Sequence, residues 1–241
     1  MPMNARLLRP LDTGFNPSKF AGLQLWLDAS DSSTITTDTG VSEWRDKSAT
    51  KSKFVQTTGN EQPATGTATM NGRNVILFDG SNDSLSCVTP LATSMPLSFF
   101  FVQRIVASTN FGMSYTSGAG SDDFNIRQSG NNGSLNIVAA NSNVINQTTP
   151  SRVGVNDILA WVVPSGAGTN STLTRNGTAL TLAGPTLKPV LTSTHRIGRR
   201  SDGFYANIQV AEIIAYSTEL TTTQRRTVEA YLGKKWGITV A

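Results

Sequence analysis

Cleaving a glycosidic bond takes two carboxylates held roughly 5 to 9 Å apart, one to protonate the leaving oxygen and one to attack or to activate water. The acidic residues of this sequence do not fall into such pairs. Glu43 and Asp46 are three residues apart at the end of a short strand-like run, a spacing that turns them to opposite faces. Asp122 and Asp123 are adjacent in a glycine- and serine-rich loop, where a turn role fits better. Glu212 stands alone inside the apolar run IQVAEIIAY. Burial there would raise its pKa, but without a partner carboxylate its expected role is structural hydrogen bonding. His195, the single histidine, precedes Arg196 at a strand start with no serine or cysteine in a nucleophile arrangement. The expectation is a protein that is not an enzyme.

Other residues suit binding. Asp28 and Asp31, or Asp79, Asn82 and Asp83, offer the hard oxygen ligands calcium prefers, although Asp-Gly-Ser-Asn-Asp is also what a tight turn between strands demands. They are weak calcium candidates, and no cofactor is expected. A sugar site would use polar loop groups beside an aromatic platform. Asp122, Asp123, Asn131 and Asn132 supply the first, Tyr115, Phe204 and Tyr205 the second. The loops 116–123, 128–134 and 164–172 contain no aromatic ring of their own beyond this set, which weakens the case. The net charge is +4, yet the basic residues occur in small scattered groups without a nucleic-acid motif, so neither nucleic acid nor membrane is an expected partner. Arg6, Arg9 and Lys19 are instead candidates for docking onto a more acidic protein.

These residues must be positioned by a chain that is largely β. Of its 241 residues 38% are hydrophobic and 15% charged, enough for one large core. Strand-like runs recur between turn signals: LQLWL, VSEWRD, Val75 to Phe78, Leu85 to Val88, LSFFFVQRIV, Phe111 to Tyr115, Phe124 to Gln128, Leu135 to Ala140, Val144 to Gln147 and ILAWVV. Asn71-Gly72 and Asn176-Gly177 predict tight turns, the second in a two-residue hairpin. Ile208 to Tyr216 is apolar at both parities and predicts a strand buried on both faces. Thr221 to Gln224 reads as a capping box opening a helix over 222–236. Val228, Tyr231, Leu232 and Trp236 share one face of it, Arg225, Arg226, Glu229 and Lys234 lie mostly off that face, and Gly237 supplies the stop. Residues 1–21, with prolines at 2, 10 and 17, read as an extended arm that needs a surface to lie on. Cys87 is alone, and Arg6 and Arg9 run into Pro10 and Asp12 rather than the apolar block of a secretory signal. A reducing cytoplasm is the expected place of synthesis.

Taken together, GLQLWLDASDSSTIT, VSEWRDKS, NGRNVILFDGSNDSL, SFFFVQR, LTRNGTALTL, HRIGRR and the closing GFYANIQVAEIIAYSTELTTTQRRTVEAYLGKKWGI resemble the concanavalin A-like lectin/glucanase superfamily, in its laminin G-like jelly-roll branch. The resemblance runs from Gly22 to Ile238. It implies an all-β domain over 22–241, a two-sheet antiparallel jelly-roll sandwich with one C-terminal amphipathic helix. Domains similar in this opening and ending are common in bacteriophage virion proteins. The expectation is therefore a non-enzymatic virion structural protein assembled in the host cytoplasm, a capsid decoration or accessory protein docking on shell or tail subunits through its arm, and oligomeric within that assembly. The alternative is a lectin-like adhesion module, on tail or capsid surface, binding host-surface carbohydrate.

Overall fold

The computed structural model describes residues 14–89, 96–109, 112–117, 124–129, 134–139, 142–146, 151–165, 171–182, 194–200 and 203–241. Arg6, Arg9, Asp122, Asp123, Asn131 and Asn132 lie outside the described residues. The elements, in chain order, are β1 (Leu23–Asp28), β2 (Ile35–Thr37), β3 (Val41–Arg45), β4 (Lys53–Val55), β5 (Thr69–Met70), β6 (Arg73–Asn74), β7 (Ile76–Asp79), β8 (Leu85–Cys87) and β9 (Leu97–Ile105). They continue as β10 (Met113–Ser117), β11 (Phe124–Ser129), β12 (Ser134–Ala139), β13 (Ser142–Asn146), β14 (Asn156–Val163), β15 (Thr172–Arg175), β16 (Thr178–Ala179), β17 (His195–Ile197), β18 (Asn207–Tyr216) and the helix α1 (Thr222–Trp236).

Two large antiparallel sheets face each other. The middle sheet runs β1-β18-β9-β14-β15-β16, with β7 beside the first half of β18. The outer sheet runs β13-β12-β11-β10-β17-β8-β4-β3-β2. The helix covers the second face of the middle sheet, which is therefore the centre of three layers. That position explains why its strands are apolar at both parities. In β9, Phe99 and Phe101 point into the space between the sheets, where they meet Tyr115 and Phe124, while Phe100 and Val102 belong to the apolar layer under the helix. Trp44, Phe54, Trp161 and Ile213 complete the first layer, and Trp26, Ile214, Tyr216, Val228, Leu232 and Trp236 the second.

The turns follow their chemistry. Asn71-Gly72 and Asn176-Gly177 have positive φ at both residues, the geometry of hairpin turns that keep the strand twist. The helix opens on Thr221, whose hydroxyl accepts from the Gln224 amide while the Gln224 side chain accepts from the Thr221 amide. It closes at Gly237, φ 68°, where a side chain would press on Asn71. Two details depart from expectation. Arg225 and Glu229 are buried, because they form an ion pair with each other that faces Thr174 of β15. Residues 14–21 are also not extended: Pro17–Lys19 form a 3₁₀ turn capped by Asn16, and Phe15 and Phe20 pack on the helix-side layer.

Candidate functional site

The acidic residues of the opening and closing motifs converge beneath the helix. Register places Asp28 of β1 opposite Glu212 of β18. A bulge in β18 between Val210 and Glu212 then decides which way Glu212 looks. Ile208 and Val210 face the outer sheet, so strict alternation would send Glu212 there too; the extra residue turns it toward the helix instead. There Glu212 Oε1 accepts from Trp26 Nε1 and the Tyr231 hydroxyl, each at 2.8 Å, and Oε2 accepts from Trp236 Nε1 at 2.7 Å. Lys235 Nζ stands 2.7 Å from Oε2 and 2.7 Å from Asp28 Oδ1. Lys47 Nζ reaches Asp28 Oδ2 at 3.1 Å and Asp31 at 2.7 Å, and lies 4.1 Å over the Trp26 ring. The outcome is an alternating chain, Glu212, Lys235, Asp28, Lys47, Asp31, running from the buried sheet to the surface.

Its electrostatics follow from burial set against charge. Burial pushes the Glu212 carboxyl up from its ordinary value, Lys235 draws it back, and Asp28 adds to the push. Burial also opposes ionisation of Asp28, yet Lys235, Ser30 and Lys47 together hold it below the usual carboxylate range. Lys47 pays for partial burial but is held above its ordinary value by Asp31 and Asp28. Tyr231 is kept protonated by burial and by the carboxylate it donates to. With both Glu212 oxygens occupied by donors, this carboxylate is a brace rather than a base. Asp46 does similar work next door. It accepts from the amides of Trp26 at 2.8 Å, Ser48 at 2.7 Å and Ser52 at 3.3 Å, and so covers the free edge of β1.

Above the brace a groove of about 1030 Å³ opens between α1 and the β1 side of the sheet. The helix contributes Thr223, Arg226, Thr227, Ala230 and Lys234, and the opposite wall carries Phe15, Trp26 and Lys47. Phe15 meets the edge of Tyr231 at 5.5 Å between ring centres, so the root of the N-terminal arm forms part of the same wall.

The other candidates fall elsewhere. Tyr115 is not a sugar platform: it is fully buried between the sheets, with its hydroxyl 3.0 Å from His195 Nδ1. Burial, with the Arg196 charge beside it, lowers the His195 pKa to about 4, so the ring is neutral near pH 7 and shares this hydrogen bond with the phenol. Phe204 and Tyr205 are half-buried; Arg200 stacks 4.4 Å over Phe204, and Arg199 donates to the Tyr205 hydroxyl at 3.4 Å. Asp28 and Asp31, offered as calcium ligands, hold lysine ammonium groups instead. Asp79 Oδ1 accepts from the amides of Ser81, Asn82 and Asp83, as a tight turn requires. Asp83 Oδ2 accepts from the Asp79 amide, and burial, reinforced by the Asp79 charge, raises its pKa to about 6. Among the described residues no group of three or more His, Cys, Asp or Glu side chains is arranged to hold a metal ion. Lys19 is exposed on the 3₁₀ turn. Lys47, Asp46, Tyr231 and Lys235 were absent from the sequence-derived candidates. Asp46 and Lys47 stand inside the EWRDKS motif and Lys235 inside KKWGI, while Tyr231, four residues before Lys235, was signalled only by the helical spacing.

No protein-family model matches this sequence, and no curated protein matches it. Solved structures do match in fold. Domain 4 of AbnA, an extracellular GH43 arabinanase of Geobacillus stearothermophilus solved with arabinotriose, superposes with a TM-score of 0.63 at 13% identity, covering 86% of this chain and 98% of that one. Trypanosoma rangeli sialidase gives 0.61 at 14% identity over 92% of this chain, which spans only 34% of the sialidase. The binding domain of Paraclostridial Mosquitocidal Protein 1 gives 0.60 at 12% identity over 88% of this chain and 52% of that one. At these identities the similarity establishes the fold, a β-sandwich, and nothing finer.

Proposed function

We propose that this chain is a non-catalytic attachment module: a structural protein of a bacteriophage virion surface, a capsid decoration or accessory protein that joins its partner through the N-terminal arm. The observation that carries this reading is the brace under the helix. Glu212 and Asp28, carboxylates that the pairing of β1 with β18 brings opposite each other, are consumed in holding α1 to the sheet. The same layer seats Phe15 and Phe20, and Tyr216 donates to the Pro17 carbonyl at 3.0 Å, so the arm joins the domain at a rigid point. Rigid seating lowers the ordering cost when an attached segment engages a partner. Removing residues 1–13 is expected to leave the domain folded and abolish its co-sedimentation with particles of the phage that encodes it. Undiminished decoration by the truncated chain would refute arm-mediated docking.

The second reading, a lectin-like module for host-surface carbohydrate, is favoured by one finding: the arabinanase domain solved with arabinotriose shares the fold over almost its whole length. Its test is a glycan array probed with the full chain. A decoration protein leaves the array dark, whereas saturable binding to a defined sugar, lost on replacing Phe204 and Tyr205 by alanine, would favour the lectin reading.

A further inference from the structure

We propose that the end of the middle sheet formed by β9, β14 and β15 is a docking surface. It fits a cleft of the partner protein that is apolar at its floor and carries carboxylates on both rims. This rests on the attachment reading and names the chemistry of a second contact beside the arm. Five large hydrophobic side chains are exposed among the described residues, and three of them, Val106, Val153 and Val155, gather here. A bridge sets Val153 beside Ile105, the residue before Val106, and the Gly154 amide donates to the Ile105 carbonyl at 2.8 Å. The Val106 amide donates to the Asn207 carbonyl at 2.9 Å and the Val155 amide to the Arg152 carbonyl at 3.1 Å. The tip is therefore pinned and presents its valines with little left to order on docking. Clustered exposed apolar side chains inside a charged border mark contact surfaces.

The border selects the occupant. Arg104 stands between Gln209 and Asn156 in the register, and its Nη2 lies 3.8 Å from the position a Cβ would take on Gly154. Arg175 lies on the other side of β14, opposite Leu159. Neither arginine side chain makes a hydrogen bond or ion pair among the described residues, and Arg175 Nη1 is buried. Asp157 does not serve them, because Arg152 donates to it from both Nε and Nη2. Burial and the Arg152 charge lower the Arg175 pKa from its ordinary value, against the pull of Asp157. A half-buried guanidinium in that position costs stability in the free chain and gains an acceptor when a carboxylate arrives. The register places the two arginine Cα atoms about 14 Å apart, from three residues of rise along the strands and two strand spacings across. Alternation turns Arg104 to the helix-side face with Phe100 and Val102, and Arg175 to the inter-sheet face with Leu173. Cations on both faces with valines between them suit a cleft acidic on both rims and apolar at its floor. A sugar would need an open aromatic face, whereas the exposed large apolar side chains here are all valine.

The test sediments the full chain with particles of the phage that encodes it. The wild type is expected to co-sediment, less tightly as salt rises. The Arg104→Gln, Arg175→Gln double variant should bind roughly ten-fold or more weakly, and so should Val153→Ser, Val155→Ser. Val55→Ser, at an equally exposed valine of the outer sheet, should bind as the wild type does. Because neither arginine is bonded within the chain, their double variant should match or exceed the wild-type thermal midpoint. A benzoylphenylalanine photo-crosslinker at Val155 should join a shell or tail subunit within a segment that contains Asp or Glu. Undiminished association of either double variant, equal loss in the Val55 control, or crosslinks only to segments without carboxylates would each overturn the proposal. So would a thermal midpoint lowered by more than about 4 °C in the arginine variant, since that would make the pair structural. If the wild type itself fails to sediment, the attachment reading falls and this surface with it; if it sediments and the variants equal it, only this surface is refuted.

Discussion

At the scale of single residues the structure turns two isolated titratable groups into structural parts. Glu212 is fully buried with two donors at each oxygen, so an amide in its place would aim an N–H at another donor and leave Lys235 with Asp28, which Lys47 shares, as its counter-charge in the brace. Glu212→Gln is expected to lower the unfolding free energy by about 3 kcal/mol, the scale for breaking a buried charge pair from one side, as a shift of the urea midpoint at unchanged slope. His195 makes a pH prediction. Its folded pKa of about 4 lies below the ordinary 6.5, so the folded state favours the neutral ring. That stabilisation is fully present above about pH 6.5 and is lost as pH falls toward 4, because the unfolded chain takes up the proton first. Between neutral pH and about 4.5 the wild type should lose roughly 2 kcal/mol more than a His195→Gln variant, measured by denaturant melts across that range. A loss of equal size in both chains would show that other groups set the acid limit. The sequence reading expected structural hydrogen bonding for Glu212 and found no nucleophile arrangement around His195. It did not contain their partners, since Trp26 lies 186 positions from Glu212 and Tyr115 lies 80 from His195.

At the scale of elements the helix is the informative case. Its bounds, cap and stop are local chemistry, and the spacing over 222–236 predicts them as found. Its buried face is not local. Arg225 and Glu229 point inward because β15 offers Thr174, a hydroxyl that accepts from the arginine at 3.1 Å and donates to the glutamate. Gly233 gives a test in which propensity and packing disagree in sign. Alanine at an ordinary helical position would gain about 1 kcal/mol over glycine. Here its Cβ would lie 2.7 Å from both the Ile238 carbonyl and a Val240 methyl, where the chain folds back after Gly237. Gly233→Ala is therefore expected to destabilise by about 1 to 3 kcal/mol despite its better propensity, as a lower thermal midpoint. A rise in the midpoint would mean that the C-terminal residues yield at little cost.

At the scale of the whole molecule the arm and the domain cannot be cut at residue 21 without loss. Deleting residues 1–20 removes Phe15, Phe20 and the Pro17 carbonyl from the helix-side layer, and should cost about 3 kcal/mol in denaturant melts, whereas deletion of 1–13 keeps all three. If both truncations melt alike, the turn at Pro17–Lys19 contributes nothing to the fold. Much of the architecture was legible in advance. Strands apolar at both parities can only lie in a layer covered twice, Asn-Gly pairs can only be comfortable in turns needing positive φ, and a capped amphipathic run can only be a helix, since each follows from steric and solvation preferences within a few residues. What the tertiary structure alone decided is which face Glu212 takes and whom it meets. One bulged residue in β18 reverses the alternation that the sequence implies, and carries a carboxylate from the inter-sheet core to two indoles, a phenol and an ammonium supplied from both ends of the chain. No pattern of near neighbours encodes that meeting, because a bulge is set by how the paired strands must twist to close the sandwich.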